Sequence, residues 1–184
     1  MSMSFRELVT ALHGMVLGAA FLLAFSGGWV ALRSIGSGDL TTEGRSRLHC
    51  RMAMLLWSMT ILAWLAVLLG TWVIYPWYRA KPPVAGGVET PAGAALAEYP
   101  KYLLLSNPQT TDWHEFGMEW KEHVAWLAPI LATAVAFVAT CRREQLARDA
   151  MLRRTVLFLY GVCFFAAAVA GGLGALINKA APTR

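Results

Sequence analysis

Charge is scarce in this sequence. Only 15% of its 184 residues are Asp, Glu, Lys or Arg, against 57% hydrophobic, a balance that excludes an ordinary soluble domain. Cysteine is scarce too: Cys50, Cys141 and Cys163 are the only three, and none forms a C-x-x-C pair. That excludes covalent c-type haem and a thiolate zinc site, and leaves two inert thiols at membrane edges and one within a span. The chain also lacks an internal repeat, a P-loop, a G-x-G-x-x-G turn and a nucleophile elbow. With no nucleophile, base and orienting group together, an independent hydrolase is weakly supported as well. The net charge of +5 does not point to nucleic acid, because the arginines lie in short loops between apolar segments.

What the sequence does have is four long apolar runs, at about 8–32, 52–75, 124–140 and 156–177. A bilayer core needs roughly 20 helical residues at 1.5 Å rise each. The expected fold is therefore an all-α integral membrane protein, one domain of four transmembrane helices in an up-down bundle. The first run is too long, and too poorly followed by a cleavage site, for a signal peptide. The third run is the shortest, so its helix is expected to extend back to about Trp113 through the charged stretch DWHEFGMEWKEHV (112–124). Asp112 with Glu115 three residues later reads as a capping box at its start.

Four spans put both termini and the outer loop 76–122 on one face. The other face has two short loops carrying Arg33, Arg45, Arg47, Arg51, Arg142, Arg143, Arg148, Arg153 and Arg154. The positive-inside rule predicts that this arginine face is cytoplasmic and that both termini are periplasmic, in a bacterial-type inner membrane. In the outer loop, proline and the Gly- and Ala-rich stretch GGVETPAGAALAEYP argue against a folded domain. Tyr99, Tyr102, Trp113 and Trp120 suggest a short interfacial helix along the headgroups before the third span.

The candidate site residues are histidines. His13 lies just inside the first span and His123 opens the third, both on the outer side. First and third helices of an up-down bundle are diagonal, and diagonal helices can hold a planar cofactor between two imidazoles. The arrangement is similar to that of small membrane b-type cytochromes, which implies one haem b on His13 and His123. Gly14 and Gly18 leave room for a flat macrocycle, although G-x-x-x-G is more often ordinary helix packing. His114 lies nine positions before His123, about 900° at 100° per residue and so on the opposite face. A break at Gly117 would keep His114 as a substitute ligand. Glu119 shares a face with His123 and would orient its ring.

Other readings carry less. The Glu-x-x-His pattern of a di-iron bundle is absent, which leaves non-haem iron or copper on His114, Met118, Glu119 and His123 as a minor alternative. His49 reads as a solvated interfacial residue and Met151 as packing. No ionisable residues cross a membrane midplane, so a proton pathway is disfavoured. Two functions follow. The first is an electron-transfer subunit with haem b, quinone as a membrane donor, and other subunits and a periplasmic redox protein as partners. The second is a cofactor-free accessory subunit that docks through the glycines of the fourth span, Gly171, Gly172 and Gly174.

Overall fold

The computed structural model describes residues 3–36, 41–82 and 93–183. It is an all-α bundle in which four helices are long and apolar enough to cross a membrane: α1 (Phe5–Ser34), α2 (Thr42–Tyr78), α4 (Pro108–Cys141) and α6 (Ala150–Ala180). Two short helices complete it, α3 (Pro100–Leu105) and α5 (Arg143–Arg148). No strand occurs among the described residues. The apolar runs carry the spans, and each helix continues beyond its run into polar sequence. At 31 residues α6 is about 46 Å long, well over the ~30 Å hydrocarbon core, so the helix ends stand in the headgroup layers.

The helix starts differ from those expected because local caps decide them. Ser4 and Glu7 form a capping box that starts α1, and Thr41 accepts from the Gly44 amide to start α2 ten residues before the apolar run. Asp149 receives the amides of Met151 and Leu152 at the head of α6. The expected start at Asp112 is corrected. Asn107 is the cap, accepting from the Gln109 amide, with Pro108 in the first turn. Proline there loses no hydrogen bond and is preset for the helix, so it outcompetes the Asp-x-x-Glu signal four residues on. Asp112 makes no side-chain cap. Part of the Gly- and Ala-rich stretch of the outer loop lies outside the described residues. Its last part forms a turn of 3-10 helix, Gly93–Glu98, and leads into α3.

Neighbours in sequence are neighbours in space: α1 packs on α2, α2 on α4, α4 on α6, and α6 closes the ring on α1. Helices α1 and α4 are diagonal, as the up-down order requires. The dense core lies toward the arginine face and the middle, where Leu32, Met52, Leu56, Met59, Ala136, Ala139, Tyr160 and Cys163 are all buried. An aromatic stack joins α1 to α6: Phe25 lies 4.1 Å from Phe164 and 5.0 Å from Tyr160, centroid to centroid. Gly28 admits the Tyr160 hydroxyl, which would stand 2.3 Å from a Cβ there. Tryptophans of α2 donate to α4, Trp57 to Thr140 at 3.2 Å and Trp64 to Thr133 at 3.0 Å. A second, smaller cluster sits at the face holding the termini, where α3 folds Leu104 onto Tyr78, Met118, Ile177 and Ala181. Between the two clusters α1 buries nothing from Phe5 to Val16.

Candidate functional site

That loosely covered level, toward the termini, is where the helices depart from α geometry. α1 makes a π-helical segment at Leu12–Val16, α2 at Gly70–Ile74 and α4 at Trp113–Met118. Inserted residues of this kind are uncommon and often mark functional sites, because each one re-aims the side chains beside it. In α1 the segment contains His13, whose half-buried ring lies against α2. Its Cε1 is 3.3 Å and its Nε2 3.7 Å from where a Cβ of Gly70 would be, so glycine is what lets the ring in. His13 Nδ1 is buried and has no hydrogen-bond partner among the described residues.

Across the bundle from His13 stands Lys121 of α4. Its ammonium lies over Gly174 of α6, 2.7 Å from the position of a Cβ, and its charge acts on the His13 ring. No hydrogen bond or ion pair reaches Lys121 from the described residues. A cation packed against a span without a counter-charge costs free energy and marks a candidate site. The inward face of α4 runs His114, Gly117, Met118, Lys121, with Gly117 and Met118 buried. Gly117 packs on Ile177 and Leu173 of α6.

His123 is on the other face. Its side chain is 72% exposed, and its Nδ1 is 3.0 Å from the Glu119 carbonyl and 3.4 Å from the Glu119 carboxylate. The expected pairing of Glu119 with His123 is thus present, but it faces away from the bundle, and His13 and His123 are not brought together. Gly14 and Gly18 also stand in open space, with nothing within 4 Å of an added Cβ, so the glycine beside His13 is Gly70, and Gly174 makes room for Lys121. His114 is turned inward, and its Nδ1 is 2.7 Å from the Tyr78 hydroxyl. It lies seven residues from Lys121 on the same helix, about 10 Å along the axis.

Above Lys121 the polar groups satisfy one another. Tyr75 donates its hydroxyl to Glu122 and accepts from Arg79 at 2.8 Å, and Tyr78 meets His114, so α2 and α4 are clamped at the terminal face. Thr10 and Thr183 share a hydrogen bond of 2.8 Å that ties α1 to the C-terminal tail. The three cysteines match the reading as unpaired thiols, with Cys50 and Cys141 exposed and Cys163 buried. Cys163 donates to the Ala128 carbonyl at 3.0 Å. No group of three or more His, Cys, Asp or Glu side chains suited to a metal occurs among the described residues, so the minor non-haem iron or copper reading gains no support. Scans against protein-family models, curated proteins and solved structures return no match.

Sequence reasoning missed Lys121, Gly70 and Gly174. Within DWHEFGMEWKEHV a lysine between glutamates reads as solvated, and its contact with Gly174 spans 53 positions, a separation at which no local pattern signals anything.

Proposed function

We propose that this chain is an electron-transfer subunit of a larger membrane redox complex, with its working site at the His13–Lys121 level. It sits in a bacterial-type inner membrane with the arginine face cytoplasmic and the termini periplasmic. The observation that carries the reading is a buried imidazole nitrogen of His13 without a hydrogen-bond partner and, on the diagonal helix, a Lys121 ammonium without a counter-charge among the described residues, close enough to act on the ring. A b-type haem answers both needs, since its iron takes an imidazole and its propionates are carboxylates. When bound, such a group passes single electrons, here between a membrane quinol and a periplasmic redox protein. The fit is partial: His13 and Lys121 suit the group, whereas His123, held outward by Glu119, does not supply a second imidazole where it stands. On this reading Gly70 positions the His13 ring, Lys121 holds a carboxylate, and the Tyr75–Glu122–Arg79 network fixes α2 against α4.

A second reading, a cofactor-free accessory subunit, is favoured by the outward set of His123 and by Gly171 and Gly172, which meet nothing within 4 Å and offer a smooth face to a neighbouring helix. The two readings separate on one preparation. Full-length protein purified from its own membrane in mild detergent should show b-type bands in a dithionite-reduced minus oxidised spectrum, with stoichiometric iron. Absence of both removes the haem reading. In that case Gly171→Leu with Gly172→Leu should release the partner subunits, and unchanged co-purification would remove the accessory reading too.

A further inference from the structure

At the opposite end of the bundle, a cleft of about 390 Å³ opens among the end of α1 at Ile35 and Gly36, the head of α2 and α5. Its walls carry Arg45, Ser46 and His49 from the head of α2 and Arg143, Glu144 and Arg148 from α5. These walls carry three guanidinium groups against one carboxylate, Glu144, which lies 4.0 Å from Arg148 with both side chains exposed. Arg45 and Arg143 have no anionic partner among the described residues, and His49 Nε2 is buried without a hydrogen-bond partner. Both guanidinium groups, and with opposite sign the Glu144 carboxylate, act electrostatically on the His49 ring, so Arg45, Arg143 and His49 share one small volume in which positive charge predominates.

The depth of this cleft identifies its occupant. The apolar run of α2 begins at Met52. His49 stands three residues earlier, about 4.5 Å, and Arg45 seven earlier, about 10 Å. A headgroup layer is roughly 5–7 Å thick on each side of the hydrocarbon. His49 therefore lies inside that layer and Arg45 about 3 Å beyond it, so the two stand on either side of the level of lipid phosphates. Guanidinium groups match phosphate oxygens in pairs, and basic pockets between helices on the arginine-rich side suit anionic headgroups. We propose that this cleft binds the phosphodiester of an anionic phospholipid, with Arg45 and Arg143 contacting its oxygens and His49 donating from Nε2. A general basic surface would not orphan a buried imidazole nitrogen, and Arg47, one turn from Glu43 and paired with it, lies outside the cleft.

The test uses delipidated full-length protein in detergent, with phosphatidylglycerol, phosphatidylcholine and inorganic phosphate as probes. Phosphatidylglycerol should raise the Tm and phosphatidylcholine should not. Arg45→Gln with Arg143→Gln should weaken the phosphatidylglycerol response by about tenfold in apparent affinity or more, the scale of one lost charge-assisted contact. The charge-matched pair Arg47→Gln with Arg154→Gln should leave it within about twofold. Equal weakening in both pairs would mean a diffuse basic face and overturn the site. Protection by inorganic phosphate at the same concentration would overturn the lipid source. Native mass spectrometry of the wild-type chain with equimolar phosphatidylglycerol and phosphatidylcholine tests the site without any variant: preferential retention of the former supports it, and equal retention overturns it.

Discussion

At the scale of single residues, stability and binding turn on groups that the fold leaves unsatisfied. Lys121 has an ammonium packed over Gly174 and no counter-charge among the described residues. Its replacement by methionine keeps the length and removes the desolvated charge, so Lys121→Met should raise the stability of the cofactor-free chain by roughly 1–3 kcal/mol. Thermal unfolding in detergent measures this, and a lower Tm would show that Lys121 has a stabilising partner. Two glycines make a matched pair for packing. A Cβ at Gly28 would meet the buried Tyr160 hydroxyl at 2.3 Å, whereas one at Gly171 meets nothing. Gly28→Ala should therefore destabilise by about 1–3 kcal/mol through overpacking, and Gly171→Ala should stay within about 0.5 kcal/mol. Equal shifts in Tm would contradict the placement of α6 against α1. Tyr75 is the hub between Arg79 and Glu122, so Tyr75→Phe should cost about 1–2 kcal/mol, and a double-mutant cycle with Glu122→Gln should show coupling.

At the scale of elements, the spans and their order were legible because apolar runs of membrane length admit few alternatives. Helix α4 shows where legibility ended. Periodicity separated its two faces correctly, with Glu119 beside His123 on one and His114 beside Met118 on the other. It could not say which face turns inward, since each carries an ionisable residue. The fold decided for Gly117 and Met118, which pack on α6 and on the terminal cluster, and Lys121 followed them in. A π-helical segment at Trp113–Met118 and a 3-10 turn at Val124–Trp126 also break the uniform 100° advance on which residue counting relies. The α1–α6 seam is legible only in three dimensions, because Phe25 and Phe164 stack across 139 positions. Phe25→Ala should remove about 3–4 kcal/mol and loosen α1 before the other spans. Hydrogen exchange would show this as faster exchange in α1 alone, and uniform acceleration would argue against a separable seam.

At the scale of the whole molecule, the two ends of the bundle differ in kind. The arginine face rests on a dense apolar core, while the terminal face holds π-helical turns, glycine gaps and most of the polar side-chain network. Orientation is open to direct measurement through the cysteines. Cys50 and Cys141 are exposed and both stand at the arginine face, and Cys163 is buried. A membrane-impermeant thiol reagent should label two sites per chain in inverted vesicles and none in intact spheroplasts; the reverse pattern would place the arginine face outside. On the proposed function, the terminal end holds a haem on His13, with Lys121 rather than His123 across the bundle. The most direct measurement is the reduced-minus-oxidised spectrum of the full-length chain alongside His13→Ala and His123→Ala. The expected result is b-type bands that vanish with His13→Ala and persist with His123→Ala. Bands that survive His13→Ala would contradict it.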